Sequence, residues 1–553
     1  MATMNKKRSG VVEDRRKTVN HERRVVHDLT SLETLFSKVL GSFFGESTYY
    51  EKRSAEKDFK EVQKLITNIP EEDIEYALKI ARIGREYNMI QFPLAVLTAC
   101  FNDERFKGDN FEDECTGRNK LQTYSDYIIR RGKDITDVLA MQMNVFGFDV
   151  TTKGRGKNKT NHRNRPLPSQ MRKALKFKLE TFNEYQLSKA LGDRREVSMA
   201  DAVKLLHPNP ANSRVSEDFF TRIIEGKVVF GGSEENKQVQ SELSKLNNKT
   251  SKTSKADVRK SIDTSTVMAI VKNLVALYNA GMFSDIETVN KICQKLTDRK
   301  EVQKSRLLPF RFYSAYQQVK SCGSSVGKRM ILNALVEAMD YSIDNLPDIE
   351  GYSAILIDRS GSMRYPVSGA SDVSADIVAC ILGAICFKKG IADLYVFGSF
   401  CKRVDDISSK STLMDITEKL LQTNVGGCTY IDLAFDTVYK SGAKYQNLIV
   451  LTDNDCYYSG NGTFSLVSYN GYHNHADDML NNLIKSGVIK KVFLDNLLGN
   501  NFTIVNTDDF RKNLITGFSE RIVDMINVYS SLGRGASDVR NLIDTIVETL
   551  PTR

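Results

Sequence analysis

The sequence lacks the apolar segments that would place the protein in or across a membrane. Its 553 residues are 41% hydrophobic, yet no stretch approaches the roughly 20 consecutive apolar residues of a membrane-spanning helix. Residues 1–24 are basic and polar and contain no apolar core of a secretory signal. We therefore expect a cytoplasmic protein that makes no membrane contact.

Cysteine pairs and phosphate-binding loops are also missing. The nine cysteines are scattered without Cys-x-x-Cys spacing, which argues against a zinc module and a disulfide framework, and their odd number fits a reducing compartment. No Gly-x-x-x-x-Gly-Lys loop is present. The length instead indicates two or more domains, and the net charge of +9 favours an anionic partner.

What the sequence does contain is a short run of oxygen-bearing side chains after a predicted buried strand. The apolar run Ala354–Ile357 stops at Asp358, and Ser360 and Ser362 follow around a glycine. In an open α/β sheet, ligands bind at the carboxyl ends of strands. One carboxylate and two hydroxyls on a tight loop suit a small octahedral cation such as Mg²⁺, which takes few carboxylates.

Two later segments can complete this site. A second apolar run, Asn447–Thr452, is followed by Asp453, and the flexible loop 426–429 carries the hydroxyl of Thr429. The alternative is that the Ser and Asp side chains only cap a helix after Gly361, but capping does not explain the distant Thr and Asp. The predicted ligands of Mg²⁺ or Mn²⁺ are Asp358, Ser360, Ser362, Thr429 and Asp453.

Apolar spacing divides the chain into a tail, a helical part and an α/β part. Residues 1–30 are charge-rich and are predicted to be a mobile tail or an arm that touches nucleic-acid phosphates. Helical periodicity runs through residues 31–345 and indicates stacked antiparallel helix pairs, as in HEAT-like solenoids. Within it, the polar segment 233–260 is predicted to be a disordered insertion. Residues 346–553 alternate strands with helices, which predicts a mostly parallel, doubly wound sheet.

Basic residues concentrate in one loop and in the helix that follows it. Residues 153–165 hold six Lys and Arg and no acid, and residues 169–191 are predicted to form a basic helix that also carries aromatic side chains. Lys and Arg beside aromatics suit phosphate contact and base stacking, whereas the simpler alternative is a solvated loop and helix face. The candidate RNA-binding residues are Lys153, Arg155, Lys157, Lys159, Arg163, Arg165, Arg172, Lys173, Lys176, Tyr185 and Lys189.

These patterns resemble two known modules. The segments around Asp358, Thr429 and Asp453 resemble the metal-ion-dependent adhesion site of von Willebrand factor A domains. A helical block before such a domain resembles the Ro autoantigen family, whose N-terminal part is called the TROVE module. This second resemblance covers residues 49–529 and is carried by Met171-Arg172-Lys173-Ala174-Leu175, Tyr185, Lys189, His207-Pro208, Val271-Lys272-Asn273-Leu274, Lys304-Ser305-Arg306-Leu307-Leu308-Pro309-Phe310-Arg311 and Thr452-Asp453-Asn454.

The resemblance implies a multidomain fold and a function. In the Ro family, helical HEAT-like repeats close into a ring that a von Willebrand factor A domain bridges. Single-stranded 3′ ends of misfolded RNAs enter the positive ring, and small Y RNAs bind its outer basic surface. The implied protein is non-catalytic, takes part in RNA quality control, and scaffolds small noncoding RNA together with an exoribonuclease or other protein.

The resemblance also adds candidate RNA contacts and shows differences. It adds His207, whose simpler role is packing in a loop, and it places Arg306 and Arg311 in the ring cavity. Cys428 and Tyr430 stand where relatives have Gly and Asp. The segments 153–165 and 233–260 have no counterpart in the family.

Two other functions stay open at this point. A metal-dependent adhesion module would bind a partner's Asp or Glu at the metal and could coexist with RNA binding. An enzyme would use Asp358 and Asp453 to hold a catalytic metal, but no positioned general base or nucleophile is evident. Salt-sensitive RNA binding would favour the first function, metal-dependent capture of a protein without RNA the second, and turnover of RNA or nucleotide the third.

Overall fold

The computed structural model describes most of the chain. The described residues are 17–21, 23–42, 53–107, 111–113, 117–146, 167–191, 196–228, 255–344, 346–367, 373–459, 475–517, 521–533, 535 and 538–551. The basic loop 153–165, with all six of its candidate RNA contacts, lies outside these residues.

Helices follow one another from residue 31 to residue 341. In the described part of the chain they are α1 (Ser31–Gly41), α2 (Ala55–Asn68), α3 (Glu75–Glu86), α4 (Gln91–Asn102), α5 (Lys120–Ile128), α6 (Gly132–Phe146), α7 (Ser169–Thr181), α8 (Glu184–Ser188), α9 (Met199–Leu206), α10 (Glu217–Ile224), α11 (Lys255–Thr264), α12 (Val267–Asn279), α13 (Ile286–Thr297), α14 (Arg299–Ser305), α15 (Pro309–Ser321) and α16 (Val326–Tyr341). Capping residues and prolines mark where helices begin. Thr30 and Glu33 form a capping box at the start of α1, and Pro309 occupies the first turn of α15. Their apolar faces share one continuous core, which confirms the predicted helical array.

The second part of the chain is built on a six-stranded sheet. The strands among the described residues are β1 (Lys17–Val19), β2 (Val25–Asp28), β3 (Glu112–Asp113), β4 (Arg118–Asn119), β5 (Tyr352–Asp358), β6 (Ile391–Phe397), β7 (Cys401–Arg403), β8 (Asn447–Thr452), β9 (Lys491–Asn496), β10 (Phe502–Thr503) and β11 (Lys512–Ile515). The sheet order is β11-β9-β8-β5-β6-β7, and every neighbouring pair is parallel except β6 and β7.

Helices cover both faces of this sheet. They are α17 (Ala375–Lys388), α18 (Leu413–Gln422), α19 (Ile431–Lys440), α20 (His475–Lys485), α21 (Ile522–Leu532) and α22 (Val539–Thr549). Alternate residues of β5 enter two separate cores, so that Ile355 packs on one face and Leu356 on the other. The predicted doubly wound α/β fold is therefore confirmed. The order of the strands changes direction at β5, and this is where such sheets bind ligands.

Residues 17–28 do not form part of a tail. β1 and β2 make an antiparallel hairpin, and β2 pairs with β10 of the α/β domain. Val26 is fully buried in the core that also contains Phe502. The predicted mobile tail is wrong for these residues, because their apolar side chains cover the α/β domain. Residues 1–16 lie outside the described chain.

The end of the predicted disordered insertion is also ordered. Helix α11 begins at residue 255, and Val258 and Ile262 are fully buried. Their spacing of four residues places them on one helix face. Arg259 fixes the helix by pairing with Asp285 at 2.6 Å. The prediction for 233–260 is therefore wrong for residues 255–260, and residues 233–254 lie outside the described part.

The α/β domain contacts both ends of the helical array. At one end α22 packs against α3, where Asp544 bonds Lys79 at 2.5 Å and Tyr76 at 2.7 Å. At the other end α16 packs against α18, where Asp340 accepts a hydrogen bond from the N–H of Leu413 at 2.7 Å. Because one domain holds both the first and the last helices, the array closes on itself.

A buried carboxylate fixes the inner turn between α5 and α6. Asp134 is fully buried and bonds the guanidinium of buried Arg85 at 2.7 Å. It also accepts from the N–H groups of Arg130 and Arg131 at 3.0 and 3.2 Å and from the side chain of Arg131 at 2.6 Å. One carboxylate thereby joins α3 to the turn before α6.

Removing this carboxylate should destabilise the helical part strongly. Asp134→Ala would remove the buried carboxylate that pairs with the buried Arg85 guanidinium, and breaking a buried ion pair typically costs about 3–5 kcal/mol. Urea unfolding followed by far-UV circular dichroism measures the loss. Glu56→Ala, which removes an exposed carboxylate paired with Lys60, is the control and should leave the midpoint nearly unchanged. Similar midpoints for the two variants would contradict this role of Asp134.

Candidate functional site

Three predicted metal ligands lie on one tight loop at the carboxyl end of β5. The N–H of Ser360 donates to Oδ1 of Asp358 at 2.9 Å, which turns the chain sharply after the strand. The hydroxyls of Ser360 and Ser362 are 3.2 Å apart. Asp358 and Ser360 are fully buried, and Ser362 nearly so. The loop therefore gathers one carboxylate and two hydroxyls at the switch point of the sheet.

Asp453 joins this group from the end of β8. The hydroxyl of Thr452 donates to Oδ2 of Asp358 at 2.7 Å, which ties the two strand ends together. The N–H of Asp455 donates to Oδ1 of Asp453 at 3.0 Å. Oδ2 of Asp453 is buried and has no hydrogen-bond partner among the described residues. A buried carboxylate oxygen without a donor is the arrangement expected of a metal ligand.

The backbone brings Thr429 to the same edge. The N–H of Gly361, inside the serine loop, donates to the carbonyl of Gly427 at 2.8 Å, and the N–H of Tyr457 donates to the carbonyl of Thr429 at 2.7 Å. Thr429 is buried. The loop 426–429 is thus bonded to both segments that carry the two carboxylates, and all five predicted metal ligands lie at one edge of the sheet.

The two carboxylates at this edge repel each other. Burial, and next the charge of Asp453, raise the pKa of Asp358 to about 7, and burial also raises the pKa of Asp453. A divalent cation would stabilise both ionised forms. The described residues contain no cluster of three or more His, Cys, Asp or Glu suited to a metal, so hydroxyl oxygens would have to complete the coordination. The donor set fits a hard cation such as Mg²⁺ or Mn²⁺.

The N-terminal hairpin holds the loop that carries Asp453. The backbone N–H of His21 donates to Oδ1 of Asp455 at 2.9 Å, and Nδ1 of the His21 ring lies 2.6 Å from Oδ2 of Asp455. Asn20 donates to the carbonyl of Cys456 at 3.0 Å, and the Arg24 guanidinium lies 4.2 Å from the centre of the Tyr457 ring. Sequence reasoning missed these contacts, because His21 and Asp455 are 434 residues apart and no motif links them.

The described candidates for RNA contact on α7–α9 are mostly exposed, and we refer to them as the outer basic surface that the resemblance implies. Arg172 and Lys173 are exposed and Lys176 is half-buried, while Lys189 lies 4.0 Å from the Tyr185 ring centre. His207 ends α9 with a left-handed backbone and is exposed. These residues stay predictions.

Sequence reasoning missed one stacked pair on this outer surface. The Arg118 guanidinium lies 4.5 Å from the centre of the Phe177 ring, which is 41% exposed. Phe177 lies within the predicted basic helix, so the sequence alone places this ring among the candidate RNA contacts. Its partner Arg118 comes from β4, a two-residue strand that has no sequence signal.

Arg306 and Arg311 line a cavity where the two ends of the helical array meet. The cavity measures about 590 Å³. Arg131 and Lys272 also line it, and among its described lining residues no Asp or Glu occurs. Asp134 pairs with Arg131, but this carboxylate is fully buried and does not line the cavity. Sequence reasoning missed Arg131 and Lys272, because the first is a single cation in a turn, the second is a single cation on a helix, and each becomes part of a site only through closure.

The walls of this cavity also carry aromatic and strained residues. Tyr87 and Phe310 contribute rings, and Asn88 and Arg306 have the positive φ angles 64° and 50°, which non-glycine residues rarely adopt. A second cavity of about 560 Å³ shares Tyr87, Asn88 and Arg306 with the first. The two cavities therefore adjoin at these residues.

Comparisons with known proteins agree with this architecture. Residues 247–335 match the family model of the TROVE domain. The fold resembles the crystal structure of the Deinococcus radiodurans RO (RSR) protein, with a TM-score of 0.57, 17% sequence identity and coverage of 92% of this chain and 99% of that chain. Residues 247–335 are thus similar to the TROVE domain, in a chain whose helical array is closed by an α/β domain. The family model for these residues and the fold of the whole chain agree with the resemblance to the Ro autoantigen family.

No helix in the described ranges combines the length and apolar character needed to cross a lipid bilayer.

The paired carboxylates should make the metal-free protein sensitive to pH. The pKa of Asp358 is raised in the folded state, so its contribution to stability is present below about pH 4 and is lost as the pH rises towards 7. The expected loss is roughly 1 kcal/mol per pH unit. Thermal unfolding in a chelator should show this slope, and Asp358→Asn should flatten it.

Asp406→Asn is the matched control for this measurement. Its carboxylate is 88% exposed and belongs to the same domain, so the slope of the wild type should remain. Identical pH profiles for the wild type and Asp358→Asn would show that the two buried carboxyls are not coupled as described.

Proposed function

We propose that this protein is a non-catalytic RNA-binding protein of RNA quality control. It binds single-stranded 3′ ends of misfolded RNA in the basic cavity and a small, Y-like noncoding RNA on its outer basic surface. The observation that carries the proposal is the cavity of about 590 Å³ that four Lys and Arg line, namely Arg131, Lys272, Arg306 and Arg311. The match of residues 247–335 to the TROVE family model supports it.

The cavity suits a single strand better than a duplex. The cations of the lining attract phosphates, and the half-buried ring of Phe310 can stack on an unpaired base. In a duplex, each base is already stacked on its neighbours, so its face cannot contact a ring of the protein. Since closure joins the walls of the cavity, a strand has to enter by a free end, which is what a misfolded RNA with an unpaired 3′ tail offers.

The outer surface suits a folded RNA. Arg172 and Lys173 project from α7, and the stacked pairs Lys189–Tyr185 and Arg118–Phe177 stand beside them. Contacts with phosphates position a structured RNA without reading its sequence. None of these residues lines the basic cavity, so both RNAs can be bound at once and the protein can act as a ribonucleoprotein scaffold.

Two double variants separate the two surfaces. Lys272→Ala/Arg311→Ala should weaken binding of single-stranded RNA, and Arg172→Ala/Lys176→Ala should weaken binding of a structured small RNA. Each pair should lower the slope of log affinity against log salt by roughly 1.4–1.8, because two phosphate contacts no longer release counterions. Filter binding across a salt series measures both affinity and slope.

The control for both is Lys57→Ala/Lys64→Ala, which removes two exposed charges from α2. RNA with a free single-stranded 3′ end should also compete better than blunt duplex for the cavity. Equal slopes for all three variants and the wild type would remove both surfaces from the RNA site.

We also propose that the α/β domain binds Mg²⁺ or Mn²⁺. The five oxygen-bearing side chains at the end of β5, the coupled carboxylates and the unpaired Oδ2 of Asp453 support this. Water or a ligand oxygen would take the remaining positions of an octahedron. The open position gives a second candidate function, in which an exoribonuclease or other protein docks through a carboxylate on the metal.

Asp358→Ala should abolish Mn²⁺ binding measured by calorimetry, because it removes one of the only two charged ligands. The exposed Asp406→Ala should bind as the wild type does. Binding of structured RNA should be the same in both variants, since the outer surface lies on the helical part. Unchanged Mn²⁺ affinity in Asp358→Ala would contradict the metal site.

A further inference from the structure

Exposed aromatic rings surround the predicted metal ligands. Tyr365, just after the serine loop, and Phe400, just after β6, are each 41% exposed. Tyr430 follows the ligand Thr429 directly, and Tyr457 follows the Asp453 loop; both are half-buried. We call Tyr365, Phe400, Tyr430 and Tyr457 the aromatic rim.

Backbone hydrogen bonds place three of these residues in a row. The N–H of Phe400 donates to the carbonyl of Val425 at 3.3 Å, at the start of the loop that carries Thr429. The N–H of Tyr430 donates to the carbonyl of Gly398 at 2.9 Å. The rings of Tyr430 and Tyr457 are 5.7 Å apart. The row therefore runs along the sheet edge from β6 past the metal loop to the loop after β8.

Cations accompany the rings. Lys402 lies 5.2 Å from the centre of Phe400, and Arg24 lies 4.2 Å from the centre of Tyr457. Arg364, beside Tyr365, is exposed. Two of the rings thus have a positive charge nearby, and Arg364 adds an exposed cation next to Tyr365 in the sequence.

We propose that the aromatic rim is a second binding site for single-stranded RNA, in which bases stack on the rings and a phosphate oxygen completes the coordination of the metal ion. The proposal rests on the metal site proposed above. Ring faces with flanking Lys and Arg are the elements by which proteins hold single strands without sequence preference, and phosphate oxygens are preferred ligands of Mg²⁺. The strand would lie along the row from Phe400 to Tyr457.

The rim favours RNA over an acidic peptide. A peptide carboxylate would use the metal and the cations but would leave the flat faces of Tyr365 and Phe400 exposed to water. A strand uses all three kinds of group, because every nucleotide carries both a phosphate and a ring. Charge complementarity and ring exposure therefore point to the same ligand.

The test measures binding of a fluorescent oligouridylate to the Lys272→Ala/Arg311→Ala variant, in which the basic cavity should have a lower affinity for RNA. With Mn²⁺ present, adding Tyr365→Ala/Phe400→Ala should lower the remaining affinity at least tenfold, since each lost base stack weakens binding by about that factor. The matched control is Tyr439→Ala, a tyrosine on α19 with 40% exposure, which should change nothing. Equal affinities for the rim variant and this control would overturn the proposal.

Three further arms complete the test. Asp358→Ala, or a chelator, should weaken oligouridylate binding without abolishing the effect of the rim substitutions. If the wild type binds no Mn²⁺, the proposed metal site is contradicted. The loss of oligouridylate affinity in the rim variant still measures the contribution of base stacking in that case. Rim-dependent, Mn²⁺-dependent binding of an oligoglutamate peptide, with no such binding of the oligouridylate, would overturn the proposal and make the rim a protein-docking site.

Discussion

The structure depends on the contact that one α/β domain makes with both ends of a helical array. A curved array of helices has two apolar end faces, and each must be covered. Here α22 covers the first end at α3, and α17 and α18 cover the last end at α15 and α16. The basic cavity exists only because this contact brings Tyr87 and Arg131 from the first helices opposite Lys272 and Arg311 from the last ones.

Closure also explains which parts of the site could be predicted from the sequence. Asp358, Ser360 and Ser362 are contiguous, and Asp453 follows a strand that must end at the same edge, so local pattern and sheet topology suffice. The role of Lys272 could not be recognised, because the opposite wall of the cavity, with Tyr87 and Arg131, comes from more than a hundred residues away in the sequence. The fold class was predictable, since strand and helix periods change clearly near residue 350.

The errors of sequence interpretation have a common cause. The hairpin at residues 17–28 was assigned to a tail because its strands are short and its partner β10 lies at the other end of the chain. Helix α11 was assigned to a polar insertion because only Val258 and Ile262 mark its buried face. In both cases a few apolar residues are buried by residues that are distant in the sequence. A short stretch of sequence therefore does not reveal that the segment is ordered.

The N-terminal hairpin also sets the order in which the protein can be completed during synthesis. It leaves the ribosome long before β10 and Asp455, which hold it. At typical elongation rates, β10 follows the hairpin by about 20–100 s. During that time the helices can fold as they appear, but the hairpin has no strand to pair with. The growing chain is therefore an open array until the α/β domain has emerged, and the joining of its two ends is a late step of folding.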